Sequence, residues 1–135
     1  MSTRGAEVIR SFVPASPFAA ALGIQVGELD ADRAVLTMPF KNDLATIGDV
    51  VHGGAISTLV DTAAMAAAWC TDDIPDTPRG TTVALSVSFV AAARGTDLSA
   101  TGRVVKRGGT LCHCDVEVSD GERVVAKGLV TYKLG

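Results

Sequence analysis

The sequence predicts an α+β fold in which a curled antiparallel sheet of about six strands wraps one long central helix. Three observations predict it. The stretch from about Gly54 to Thr71 is small and apolar on almost every side, as expected of a helix covered by other structure. Two strand-like runs precede it and four follow it, too many to lie on one side of so short a helix without curling. The last three runs are joined by short Gly-bearing turns, the mark of an antiparallel meander.

Taking the elements in order, residues 4–13 (RGAEVIRSFV) read as a short amphipathic helix stopped by Pro14, and residues 16–22 (SPFAAAL) as a further helical turn ended by Gly23. Ile24 to Asp30 and Arg33 to Phe40 read as strands around a tight Asp-Ala-Asp turn. Residues 41–52 form a loop into the Gly53-Gly54 pair that opens the long helix. The prolines and aspartates of residues 71–78 (TDDIPDTP) make a second loop. Thr81 to Ala92 then alternates, with Val83, Leu85, Val87 and Phe89 on one side and Ala84, Ser86 and Ser88 on the other. Leu98 to Arg107, Leu111 to Ser119 and Arg123 to Leu134 follow, turning at Gly108-Gly109 and Asp120-Gly121.

The 135 residues suffice for a single domain, 1–135, with a core that needs neither disulfides nor metal. Hydrophobic residues at 47% and charged residues at 20% exclude a disordered chain. A net charge of −3 and few aromatics give no basis for a nucleic-acid partner. The odd number of cysteines (Cys70, Cys112, Cys114) and the lack of a leader-like N-terminus predict reduced thiols in a cytoplasmic protein. Gly53 to Cys70 barely reaches membrane-spanning length and holds Asp61 at its middle with Ser57, Thr58 and Thr62 nearby, so no membrane partner is expected.

Asp61 is the only formally charged side chain between Val50 and Thr71, and its helical neighbours Ser57, Thr58, Ala64 and Met65 make one small, mildly polar face. Burying an unpaired carboxylate costs several kcal/mol, roughly, so a chain with no task for Asp61 would carry Ala or Leu there. The competing reading places Asp61 at an exposed helix edge or in a structural hydrogen bond. Gly53 and Gly54 leave helix-start amides open to a ligand oxygen, although glycines also open helices for purely local reasons. Lys106 and Arg107 beside Gly108-Gly109 suit a phosphate, or merely solubilise a hairpin. Small residues such as Ala64, Ala67 and Ala68 are candidates for leaving room beside the helix.

Together, His52-Gly53-Gly54 followed by Leu59-Val60-Asp61 (HGGxxxxLxD, with alanines after it) resembles the PaaI-like branch of the hot-dog thioesterases, the 4-hydroxybenzoyl-CoA thioesterase superfamily. The resemblance extends through residues 86–98 (SVSFVAAARGTDL), 104–111 (VVKRGGTL) and the ending VAKGLVTYKL. It implies hydrolysis of an acyl-CoA to a carboxylic acid and free CoA, with coenzyme A as part of the substrate and no separate cofactor. It implies Asp61 as nucleophile or general base, the Gly53 amide polarising the thioester carbonyl, His52 setting that loop and Thr82 assisting the carboxylate. Relatives often have Asn where this chain has Thr46, a departure that bears on rate and on the choice between base and nucleophile. The resemblance further implies that pantetheine and phosphates lie along Phe89 and the segment Lys106, Arg107, Gly108, Gly109, Thr110 and Leu111. It implies a homodimer whose sites combine both subunits, commonly doubled to a homotetramer.

Two other activities on this pattern are a hydratase or dehydratase acting on acyl thioesters, and a non-catalytic acyl-CoA sensor. The first usually pairs His with a carboxylate, and His52 lies more than two helical turns from Asp61. The same distance, and the lack of a GxSxG elbow, speaks against a Ser57-His52-Asp61 triad. Cys112-His113-Cys114 is not read as a metal site, because on a strand His113 faces away from both thiols.

Overall fold

The computed structural model describes residues 2–135. It contains α1 (Arg4–Ala15), α2 (Pro17–Leu22), β1 (Gln25–Asp30), β2 (Arg33–Met38), β3 (Ala45–Ile47), β4 (Val50–Val51), α3 (Gly53–Trp69), β5 (Gly80–Phe89), β6 (Leu98–Arg107), β7 (Leu111–Ser119) and β8 (Val124–Leu134). Six strands form one sheet in the order β1-β2-β6-β7-β8-β5, every pairing antiparallel. The sheet curls around α3, which touches β2, β5, β6, β7 and β8. This is the hot-dog architecture.

Two local expectations change. Pro14 does not stop α1, which runs on to Ala15 and closes with the Ser16 amide donating to the Phe12 and Val13 carbonyls. Pro14 denies a donor only to the carbonyl four residues back, at Arg10, and both residues are exposed, so water can serve that oxygen. The loop of residues 41–52 is also more ordered than expected. It contains a 3₁₀ turn (Asn42–Leu44) and a small β3–β4 hairpin, held by Val51 N–H to Ala93 O and His52 N–H to Leu44 O.

The core follows from the strand periodicity. Leu36 and Met38 on β2, Leu98 and Ala100 on β6, Cys112, Cys114, Val116 and Val118 on β7, and Ala126 and Val130 on β8 are all buried toward α3. Leu59 and Val60 of the helix are fully covered, each contributing roughly 1.5–3 kcal/mol relative to exposure. Alanine at positions 63, 64, 66, 67 and 68 lets the helix axis come close to the strands. These alanines are fully buried against other parts of the chain, so Ala64, Ala67 and Ala68 do not themselves open room for a ligand, contrary to the expectation. Strand backbone meets helix backbone at Gly102 of β6, where an added Cβ would sit 2.6 Å from the Ala63 carbonyl oxygen. No helix among the described residues is long and apolar enough to cross a membrane.

Because the Gly102 contact is with helix backbone, it has no rotamer by which to yield. A Gly102→Ala variant is expected to lose about 1–3 kcal/mol of stability, seen as a lowered urea midpoint with an unchanged m-value.

Candidate active site

Asp61 lies in the middle of α3 on the side turned to β5, and it is half-buried. The Thr82 hydroxyl donates to Asp61 Oδ1 at 2.5 Å. Thr58 and Thr62, on the same helical face, donate instead to the Gly54 and Thr58 carbonyls, so neither competes for the carboxylate. Asp61 Oδ2 has no hydrogen-bond partner among the described residues. Asp61 lines a cavity of about 330 Å³ with Phe12, Phe18, Met65, Thr82 and Tyr132.

Thr82 reaches Asp61 because of an irregularity in β5. Thr82 pairs with Tyr132 and Val87 with Gly128, two inward positions an even number of residues apart on β8. On β5 those partners are an odd number apart, and the register shift falls between Thr82 and Ala84. Val83 is the extra residue, a β-bulge, and is 57% exposed. The expected unbroken alternation, with Val83 on the same side as Val87, is therefore corrected. Strict alternation would have turned the Thr82 hydroxyl away from the helix.

The helix start carries the second group of residues. His52 is the N-cap of α3, and its Nδ1 accepts the Gly54 N–H at 2.7 Å. The imidazole thereby braces the turn and is not directed at Asp61. The Gly53 N–H has no partner among the described residues. A Cβ at Gly53 would lie 3.3 Å from the Phe89 ring, so the ring packs close beside this glycine. Gly53, Phe89 and Thr46 line one groove of about 380 Å³. Within one chain the two groups stay apart, since Gly53 to Asp61 spans eight residues, about 12 Å of helix rise.

The β6–β7 hairpin lies at the opposite end of the helix from Gly53. Arg107 is committed to the fold: its guanidinium donates to Asp32 Oδ1 at 2.7 Å, to the Ala68 carbonyl at 3.0 Å and to Cys112 Sγ at 3.2 Å. Lys106 is exposed with no ion-pair partner among the described residues. Gly108 N–H closes the turn onto Leu111 O, and Thr110 O accepts from Leu134 N–H. Arg107, Gly108, Gly109 and Thr110 border a groove of about 230 Å³, while Leu111 stands partly exposed beside it. The two adjacent cations of the sequence thus separate in role. Tyr132 is a cavity residue that the sequence did not single out. It is buried and bonded to Trp69, and only the β5–β8 register brings it beside Thr82.

A model of the thioesterase superfamily matches residues 48–127, which include His52, Gly53, Asp61 and Thr82. The chain belongs to the thioesterase superfamily. Human acyl-coenzyme A thioesterase 13 is 28% identical over 133 residues, covering 96% of this chain and 93% of the relative. Among solved structures, a thioesterase family protein from Silicibacter pomeroyi is 28% identical with a TM-score of 0.88, covering 97% and 99% of the two chains. Zebra fish thioesterase superfamily member 2 is 26% identical with a TM-score of 0.81, covering 96% and 95%. This thioesterase is accordingly a thioester hydrolase.

Cys112 and Cys114 of the thioesterase are buried while His113 between them is exposed, so strand alternation does separate the imidazole from the thiols. Burial raises the Cys70 thiol from 9.0 to about 11, with the charge of Asp30 adding to the rise. Burial raises Cys114 to about 12, and it raises Cys112 as well, there opposed by Arg107. Ellman's reagent at pH 8 is expected to leave the folded protein unlabelled and to titrate the thiols after guanidinium unfolding. Since the thiols of the unfolded chain ionise near 9.0 and those of the fold near 11 to 12, the unfolded state binds fewer protons across that interval. Stability contributed by the buried thiols is whole below pH 9.0 and is lost as pH rises toward about 12, which alkaline denaturation midpoints measure.

Proposed function

We propose that this thioesterase hydrolyses acyl-CoA thioesters, with Asp61 as the catalytic carboxylate and the Gly53 amide as the carbonyl-polarising donor. The observation that carries the reading is the Thr82–Asp61 hydrogen bond beside a cavity, on a helix otherwise free of charge. Thr82 fixes one carboxylate oxygen and leaves the other for the reacting partner. As a general base, Asp61 takes a proton from water as the water oxygen attacks the thioester carbon. As a nucleophile, the carboxylate oxygen attacks directly, CoA thiolate leaves, and water then cleaves the mixed anhydride. Both routes place negative charge on the former carbonyl oxygen, and the Gly53 N–H at the positive end of α3 is suited to stabilise it.

Gly53 and Asp61 of one chain cannot meet on one carbonyl, so the reading requires a dimer. β5 ends the sheet with its outer edge unpaired among the described residues, and Val83, Leu85, Phe89 and Val90 are 57%, 43%, 52% and 60% exposed. A bare apolar edge of this kind invites pairing with another strand. Antiparallel pairing of two β5 strands about a two-fold axis between Leu85 and Ser86 sets Thr82 opposite Phe89 of the partner subunit. That register brings the Gly53 amide of the partner subunit toward Asp61. A homotetramer would further cover outward-facing Val105 and Leu129, which are 69% and 67% exposed.

In the assembled site the exposed Lys106 and the hairpin amides of Gly109 and Thr110 would meet the CoA phosphates, and Phe89 the pantetheine. Arg107 would hold the hairpin in place through Asp32. Thr46 lies in the Gly53 groove, where its hydroxyl could orient water over a shorter reach than an Asn amide.

Asp61→Ala is expected to lower kcat for acyl-CoA hydrolysis by roughly a hundredfold or more, and Thr82→Val by about tenfold, with Thr82→Ser recovering most of the loss. Free-thiol release measures these rates, with circular dichroism checking the fold. Parent-like turnover by Asp61→Ala would remove Asp61 from the mechanism. For the shared site, two inactive variants, Asp61→Ala and Gly53→Val, are co-refolded in equal amounts. A site built from both subunits returns about a quarter of parent activity, whereas sites confined to single chains return none.

A further inference from the structure

We propose that Tyr132 determines specificity, offering its hydroxyl proton to an acyl group that carries an oxygen substituent (hydroxyl, ether or keto) away from the thioester. The inference rests on the cavity beside Asp61 being the acyl site.

Tyr132 is the only tyrosine of the chain and is 5% exposed. Its cross-strand partner is Thr82, the residue that holds Asp61, so the two side chains stand on the same face of the sheet. The Trp69 indole N–H donates to the Tyr132 hydroxyl oxygen at 3.0 Å. A phenol accepts and also donates, and among the described residues no acceptor takes the Tyr132 proton. Asp61 does not take it, although its negative charge is near enough to oppose ionisation of the phenol. A buried donor without an acceptor is uncommon in folded proteins and costly to maintain.

The surroundings direct this donor to a ligand. Tyr132 lines the Asp61 cavity and also the adjoining groove that leads to Arg79 and Lys133. Gly80 makes room for it, because a Cβ there would sit 2.1 Å from the Tyr132 hydroxyl oxygen. The other large side chains of the cavity, Phe12, Phe18 and Met65, are apolar. Of the cavity's other hydroxyls, those of Thr58, Thr62 and Thr82 already donate within the chain and those of Ser16 and Thr81 belong to more exposed residues, so Tyr132 is the buried hydroxyl whose proton is uncommitted. A site that presents a buried, uncommitted donor favours the ligand that satisfies it over the analogue that leaves it unpaired.

The test uses pairs of substrates that differ only in that oxygen: phenylacetyl-CoA against 3- and 4-hydroxyphenylacetyl-CoA, and hexanoyl-CoA against 5-oxohexanoyl-CoA. In the parent, kcat/KM for an oxygenated member is expected to exceed that of its plain partner by about fivefold to tenfold. In Tyr132→Phe that ratio falls to about one. A ratio unchanged in Tyr132→Phe, or a parent ratio near one for every pair, overturns the proposal. Binding of the same pairs to Asp61→Ala and to Asp61→Ala/Tyr132→Phe, measured by calorimetry, separates this inference from the hydrolytic one. Discrimination in binding that depends on Tyr132, without any thiol release by the parent, would sink the catalytic reading and sustain Tyr132. Thiol release without discrimination would do the reverse. Should Tyr132→Phe fail to fold because the indole has lost its acceptor, Trp69→Phe/Tyr132→Phe removes both partners and carries the same comparison.

Discussion

The close seating of α3 in the curled sheet is the contact on which the rest of the molecule depends. A helix with one charge in its length has to be covered on most sides, and a run of alanines facing Gly102 lets backbone approach backbone. That closeness fixes the helix along its axis and in rotation. Once it is fixed, the direction of every side chain on α3 is set, and Asp61 has one place to go: toward the edge strand β5. The polar event of the site is thus a consequence of apolar packing, because the alanine-rich side of the helix chooses the sheet and leaves the hydroxyl-bearing side to the cavity.

The second constraint is the division of the site along the helix. The positive end of α3 offers an amide that His52 leaves free by capping its neighbour, while the carboxylate sits eight residues further on. One helix cannot bring its own N-terminus to its own middle. Strand β5 runs beside both regions, with Thr82 near one and Phe89 near the other, and its outer edge carries exposed apolar side chains. A two-fold axis across such an edge exchanges the ends. Symmetry then supplies what the single chain lacks, at the cost of making the dimer part of the chemistry.

Some charges that look available belong to the scaffold. Arg107 ties the β6–β7 hairpin to the β1–β2 turn through Asp32 and to the end of α3 through the Ala68 carbonyl. A guanidinium with several donors in a rigid fork is well suited to that three-way joint. Lys106, the preceding residue on the opposite face of β6, stays in solvent. The cavity near Asp61 shows the same economy, with hydroxyls of Thr58 and Thr62 turned to helix carbonyls and Thr82 alone given to the carboxylate.

By itself the sequence determined the element order, the antiparallel meander of the last three strands, the enclosed helix and the singular position of Asp61. These follow from periodicity and turn chemistry, which act over a few residues and are written in them. Tertiary structure alone decided the aim of particular side chains. The bulge at Val83 turns Thr82 toward Asp61, yet nothing in a run of β-branched and small residues marks where an extra residue leaves the ladder. The pairing of Tyr132 with Trp69 and its place beside Thr82 join residues far apart in the chain, and so does the capture of Arg107 by Asp32. Such contacts depend on which strand lies beside which and in what register, and that is settled only when the whole sheet closes over the helix.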